Sequence, residues 1–452
     1  MDLNFLFNLA RYISFKTLFR WFKDEGLRLL FKNAGTLLSG NMIAWILGLI
    51  TFAITARILG PTQFGILVLI TTYVTIVDKI LNFQSWQALI KYGAEVLEKK
   101  NNDSFKSIVK FCTLLDVATA VLGTIVSIMA VSWVGQWLSW ESETVLMAAI
   151  YSLVILFNVS GTPTGLLRIF SRFRLFAVQN IVTATIKFVG ILIIYFTGAS
   201  LWLVLILWMM TTIIGHLLLV VLGWRELHKR GFEGTFMSPI RDISTQHPGI
   251  WGFVLTTNLN SSIRLGSREL DTMLVGGFVG VEGAGLYKIA KQIAAVPAML
   301  SDPLYQAIYP DLSRLWAKQE ITTFKKLMIR SSLIAGGGAT VIWFAFILFG
   351  SLFIQLVFGP EFVAAQTVTV LYMFAMVISI YAIPLQPAML SMGKPKTSTF
   401  IQIICTVIYL LILFLLLPIF GINGAGIAAI IFYAMILVTM SIVEKQLMMG
   451  SS

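Results

Sequence analysis

Apolar residues run along this chain in long blocks parted by short polar stretches. Twelve such blocks can be drawn, at 34–56, 64–85, 110–133, 145–164, 175–197, 201–223, 252–277, 284–308, 332–356, 364–390, 398–419 and 423–443. Each is close to the ~20 largely apolar residues that an α-helix needs to cross a bilayer core. The connections are too short to hold a soluble domain of ordinary size. The pattern predicts an all-α integral membrane protein of about twelve transmembrane helices.

Composition strengthens this. The chain is 58% hydrophobic, with a mean hydropathy of +0.87, and 12% of its residues are charged. Soluble chains carry about 25% charged residues, so a water-soluble body is excluded. Cys112 and Cys405 both sit inside apolar blocks, and His216, His228 and His247 are scattered. Neither a disulfide framework nor a metal site is expected.

Charge then orients the helices. Of the 33 Lys and Arg residues, 26 fall in the N-terminal segment, in alternate loops after it (with Lys110 at the edge of the third block), or at Lys445; the opposite loops hold Arg57 alone. The excess of basic residues on one side predicts a multi-pass protein of the cytoplasmic (inner) cell membrane with both termini in the cytoplasm. The net charge of +12 then reflects topology and attraction to anionic membrane lipids. Basic residues dispersed over many short loops make no nucleic-acid surface. Residues 1–33, aromatic-rich and interrupted by charge, read as an amphipathic helix in the membrane interface. It is either an anchor or gate element, or a lead-in that helps to set orientation. The rest divides into bundles at 34–223 and 252–443, a cytoplasmic linker at 224–251 and a tail at 444–452.

An internal repeat underlies the two bundles. Gly60, Pro61 and Gly65 follow the first block in ARILGPTQFG; Gly280 and Gly285 follow the seventh in GGFVGVEGAGLYKIA. Both glycine pairs have the spacing G-x-x-x-x-G, which suits a tight turn between antiparallel helices. After the fourth block comes LRIFSRFR, and after the tenth LSMGKPK, each ending basic-x-basic: Arg172 and Arg174, then Lys394 and Lys396. Six spans per half is an even number, so both halves start on the same side of the membrane. A parallel repeat about the membrane normal, with a central cleft between two six-helix bundles, is the expected architecture.

Charged residues inside the blocks mark candidate chemistry, because hydrocarbon penalises them. Arg264, Arg268 and Asp271 are spaced i, i+4, i+7 in the seventh block, a spacing that shares one helix face. Tyr287, Lys288 and Lys291 follow in the eighth. Lys187 lies mid-way along the fifth, Asp78 and Lys79 in the second, and Asp116 in the third. Basic groups outnumber acidic ones, which suits an anion, and the arginine fork suits phosphate. A purely structural reading stands beside this: Arg268 would pair with Asp271, Asp78 with a basic neighbour, and terminal lysines would reach the surface. Asp302 and Asp311, each beside a proline, read as the end of the eighth helix. The chain holds no G-x-x-x-x-G-K-[ST], no zincin motif and no nucleophile elbow. A transporter without its own ATPase is expected, with no catalytic residues.

These segments also carry a family resemblance. ARILGPTQFG, SRELDTMLVGGFVGVEGAGLYKIA at 267–290, LRIFSRFR and MGKPK resemble stretches of the polysaccharide (O-antigen-type) lipid-linked oligosaccharide flippases. These lie within the multidrug/oligosaccharidyl-lipid/polysaccharide exporter superfamily, and the resemblance runs along essentially the whole chain. It implies a cationic cavity opening alternately to each side. It implies as substrate an undecaprenyl-diphosphate-linked oligosaccharide, flipped from the inner to the outer face. Polymerase and other polysaccharide assembly proteins are the implied partners. An ion-coupled multidrug or small-molecule exporter of the same superfamily is the alternative. No cofactor is expected; a coupling ion, H+ or Na+, would fall to Asp271 or Asp78.

Overall fold

The computed structural model describes residues 25–198, 200–239, 243–265 and 269–449, and gives the backbone course alone at 25–41, 260, 263–264, 300–307 and 449. Most of the expected interfacial segment 1–33 lies outside the described residues. Twelve helical legs are present among them. The run Glu25–Leu81 is two helices, α1 and α2, parted at Gly60. Next come α3 (Asn102–Trp137), α4 (Ser142–Tyr151, Leu153–Phe157 and Gly161–Ile169), α5 (Phe173–Thr197) and α6 (Leu201–Lys229). The second half holds α7 (Ile250–Leu265 and Asp271–Val279), α8 (Val281–Ala317), α9 (Ile321–Val357), α10 (Gln366–Tyr381 and Leu385–Ser391), α11 (Pro395–Phe420) and α12 (Ile422–Met449).

Nine described segments are long and apolar enough to cross a membrane, and one of them, Met42–Glu98, contains both α1 and α2. The remaining two legs, α7 and α8, are the ones loaded with polar side chains. The eighth leg does not end at its prolines. It continues to Ala317, and Asp311 pairs with Arg314 one turn on, at 2.9 Å. Proline removes a hydrogen bond, yet a membrane helix runs on through it when its neighbours satisfy the freed backbone groups.

The backbone records the repeat more fully than the motifs do. Positive φ recurs in pairs at Gly60 and Gly280, Lys100 and Gln319, Ser139 and Gly359, Ser171 and Gly393, and Gly198 and Gly421, each pair 219 to 223 residues apart. Every turn of the first half thus has its counterpart in the second, in the same order. Gly60 (φ 69°, ψ 173°) and Gly280 (φ 97°, ψ 176°) both lie in a region open essentially to glycine alone. The two turns meet. A Cβ on Gly65 would overlap the carbonyl oxygen of Val281, and one on Gly285 would lie 2.8 Å from that of Pro61. These are the same contact, made once in each direction across the pseudo-twofold axis.

This glycine-turn end is where the lobes join. One apolar core there draws on both halves, from Phe52, Phe64 and Leu69 of the first to Tyr287, Phe358 and Phe362 of the second. Phe52 meets Phe358 edge-on, and Phe64 meets Phe362. Toward the other end, which carries the linker, the cores separate. One is built on Leu89, Phe105 and Leu166 of the first lobe, another on Leu312, Phe324 and Met389 of the second. The lobes are therefore sealed at the glycine turns and parted toward the linker.

Arg57 acquires a reason here. Its Nη2 donates to the carbonyls of Leu356 (2.8 Å) and Gln355 (3.4 Å), at the C-terminus of α9 in the opposite lobe. Helix C-termini carry unsatisfied carbonyls and partial negative charge, so a cation there contributes about 0.3–1 kcal/mol. Arg57→Ala is expected to loosen the seal without unfolding either lobe. Spin labels at 197 and 420, one per lobe at this end, should then show a larger population of long distances. An unchanged distribution would mean that Arg57 is no latch.

Candidate functional site

The second lobe holds a buried carboxylate tied to three helices. Asp271 opens the second stretch of α7. Its Oδ1 accepts from the Thr272 backbone N–H at 2.7 Å and its Oδ2 from Tyr287 Oη of α8 at 2.8 Å. Tyr409 Oη of α11 donates to Oδ2 at 3.3 Å. Lys291 Nζ, one turn along α8 from Tyr287, lies 2.8 and 2.9 Å from the two oxygens. Asp271 is fully buried and the Lys291 side chain is 15% exposed. Charge and lone pairs are satisfied together, as burial of an ion pair demands. Lys288, on the neighbouring face, pairs with Glu269 at 3.5 Å.

Sequence spacing put Asp271, Tyr287 and Lys291 among the same candidates, and the structure brings them into contact. Residues 269–270 form π-helical turns, and the extra residue of such a turn rotates the helix beyond it. The expected i, i+4, i+7 alignment of Arg264, Arg268 and Asp271 runs through residues outside the described ones. Arg268 and the Arg264 side chain lie outside the described residues. The first stretch of α7 docks on the first lobe. Trp251 meets Phe111, Phe253 meets Tyr92 beneath the Lys91 ammonium, and Asn258 donates to the Ile80 carbonyl at 2.9 Å.

The first lobe carries its own polar interior. Asp78 accepts from Asn82 Nδ2 (3.2 Å) and, through both oxygens, from Asn158 Nδ2 (3.1 and 2.8 Å). Among the described residues no basic neighbour pairs with it, and two amides satisfy it. Ser160 extends the network from Asn158 Oδ1 to His216 Nδ1. Asp116 accepts from the Thr162 N–H (2.6 Å) and Oγ1 (2.7 Å), at the start of the helical piece Gly161–Ile169. The break in α4 at 158–160 makes these bonds available. Hydropathy alone shows an apolar block there; the polar run NVSGTPTG within it was the signal. Lys187 lies against the Trp208 ring, its Nζ 3.4 Å from the centroid. Lys79, at the linker end of α2, is half-buried.

At the linker end, Arg172 pairs with Glu226 at 2.9 Å, whereas Arg174, Lys394 and Lys396 make no such pair among the described residues. A polar cavity of about 520 Å³ lies there too, between 95–107 and 239–247, apart from the sites above. In its wall His247 bonds Ser104 at 3.0 Å, and burial holds the imidazole below its ordinary value. Among the described residues no three His, Cys, Asp or Glu side chains converge as a metal site.

Several known proteins resemble this chain. The inner membrane protein YghQ of Escherichia coli (strain K12) is 29% identical over 349 residues, covering 76% of this chain and 97% of its own. A multidrug resistance MATE family transporter of the MOP superfamily, in its inward-facing conformation, superposes with a TM-score of 0.70 at 14% identity, covering 92% of this chain and 98% of its own. The lipid II flippase MurJ, in an inward closed conformation, gives 0.66 at 11% identity, over 90% and 87%. These two structures share the fold of this chain. Residues 30–316 match the family described as polysaccharide biosynthesis protein, and the chain belongs to that family of multi-pass membrane proteins.

Proposed function

We propose that this protein moves a lipid-linked oligosaccharide from the inner to the outer face of the cytoplasmic membrane by alternating access, and that it is a transporter rather than an enzyme. The observation that carries the reading is membership of a polysaccharide biosynthesis family by a chain with a transporter's two-lobe fold. The inferred substrate is an undecaprenyl-diphosphate-linked surface polysaccharide repeat. Its polyprenyl tail can stay in lipid, while the charged head must pass ~30 Å of hydrocarbon in the cleft. Arg264, Arg268, Lys187, Lys288 and Lys79 are the groups proposed to replace water around the diphosphate. Asp271, Tyr287 and Lys291 brace the second lobe. Asp78, bonded by neutral amides, is the better candidate for a coupling proton or sodium ion. The bundle limits 34–223 and 252–443 and the interfacial role of 1–33 belong to the same proposal.

Charge places the glycine turns on the outer face. Cysteines introduced at 141 and 361 should therefore label with an impermeant reagent in intact cells, and cysteines at 100 and 236 should not. The reverse pattern would overturn the orientation.

The function is tested by deletion of the gene in its own host. Lipid-linked precursor should accumulate while surface polymer disappears, and Arg264→Ala should fail to restore polymer at normal membrane abundance. Loss of the precursor itself would point to an enzyme. A specific observation, the likeness to a multidrug transporter fold, favours a second reading as an exporter. Altered drug tolerance with intact polymer would establish that one instead.

A further inference from the structure

Two arginines of the linker end are seated on aromatic rings, Arg230 over Phe170 at 4.1 Å and Arg168 over Trp86; Arg168 is the one beside the helical turn that packs against the first stretch of α7. Its guanidinium carbon lies 4.1 Å above the Trp86 ring and 5.9 Å from that of Phe176. It is exposed, and among the described residues it makes no hydrogen bond or ion pair. By contrast, Arg172 is committed to Glu226, Lys99 to Glu95, and Arg314 to Asp311. A guanidinium held over an aromatic ring is restrained there, and its N–H donors remain available to phosphate oxygens.

The platform beneath it is rigid. Gly165, one turn before Arg168, packs so closely on Leu89 that a Cβ would come within 2.9 Å of Leu89 Cδ2. Leu89, Leu166 and Leu167 are fully buried. Trp86 is fixed from its other end, Nε1 donating to Gln84 Oε1 at 2.8 Å. The helical turn that carries Trp86, Ser85–Ala88, packs against the first stretch of α7, the element that runs from the first lobe to the second. Arg168 and Trp86 thus sit beside the lobe junction, at the end where the lobes are parted.

We propose that Arg168, seated on Trp86, is a receiving site for the diphosphate of the lipid-linked substrate at the linker-end mouth of the cleft. The assignment rests on the transport reading above. Gln84 lies beside this site with an amide suited to sugar hydroxyls, and the exposed part of the Trp86 ring suits a sugar face. The same chemistry could engage the phosphate of a membrane lipid headgroup, since Trp and Arg are also frequent at membrane interfaces, and the test separates the two.

The full chain in phosphatidylcholine nanodiscs is titrated with undecaprenyl diphosphate and, separately, with phosphatidylglycerol. Arg168→Ala should weaken undecaprenyl diphosphate binding by about tenfold or more, the equivalent of one charge-assisted pair. Arg168→Lys should recover little of it, and Trp86→Phe more than Trp86→Ala. Phosphatidylglycerol binding should stay within about twofold, less than the loss of one charge-assisted pair. Size-exclusion profile and melting of the variants serve as the folding control, and Arg168→Gln replaces Arg168→Ala if the latter fails it. Undiminished diphosphate binding in the variants would overturn the site while leaving the transport reading intact. An equal loss of phosphatidylglycerol would overturn it in favour of an interfacial lipid contact. No diphosphate binding by the unmodified protein would overturn the transport reading, and this site with it.

Discussion

Gly65→Ala will destabilise this protein more than any other glycine substitution at the turns, and the effect will be read between the lobes. The new methyl group would occupy the space of the Val281 carbonyl oxygen. Backbone cannot swing aside as a flexible side chain can, so the starts of α2 and α8 must separate. Overpacking of this kind costs about 1–3 kcal/mol and sometimes more. Gly285→Ala, with Pro61 O at 2.8 Å and Gly65 N at 3.1 Å, should cost less. Gly280→Ala meets no neighbour but must hold φ near 97°, so strain alone of about 1–3 kcal/mol applies. Gly337→Ala and Gly338→Ala, in the middle of α9 with open space around them, should be neutral or gain up to about 1 kcal/mol of helix propensity. Melting in detergent ranks the series, and the 197–420 spin-label distance reports the seal. A Gly65→Ala protein that melts like the parent, with an unchanged distance, would refute the close approach.

Asp271→Ala is expected to remove most of the protein from the membrane. It removes the carboxylate that faces the mostly buried Lys291 ammonium, and breaking one side of a buried pair typically costs about 3–5 kcal/mol. The donors Tyr287 and Tyr409 lose their acceptor as well. Asp271→Asn combined with Lys291→Met keeps an acceptor for the tyrosines and removes both charges at similar volume. This double variant should recover most of the abundance and melting temperature. If it recovers surface polymer too, the pair is a structural tie; if it recovers abundance alone, the charge takes part in transport. A stable, abundant Asp271→Ala protein would show that the pair contributes little to folding.

Much of the architecture was legible in one dimension. Span length, the alternation of basic loops and two glycine spacings sufficed for a twelve-helix parallel repeat, because bilayer thickness, charge placement and turn geometry act locally and leave periodic traces. The ends of α8 and the breaks in α4 and α10 were not legible in this way. Whether a proline or a polar run stops a helix depends on what neighbouring helices offer its unsatisfied backbone groups.

The polar residues divide along the same line. Their types and depths determined that the interior had to be hydrated or paired, since hydrocarbon tolerates neither bare charge nor bare amide. Which partner each one takes was a matter for the tertiary structure alone. Asp271 finds Lys291 twenty residues on and Tyr409 from another leg, Asp78 finds Asn158, and Arg57 finds the end of a helix in the opposite lobe. The glycine pairs show the limit most clearly. Their spacing marked two turns, but only the folded chain lays one turn against the other, because that contact is between backbones and no side-chain pattern encodes it.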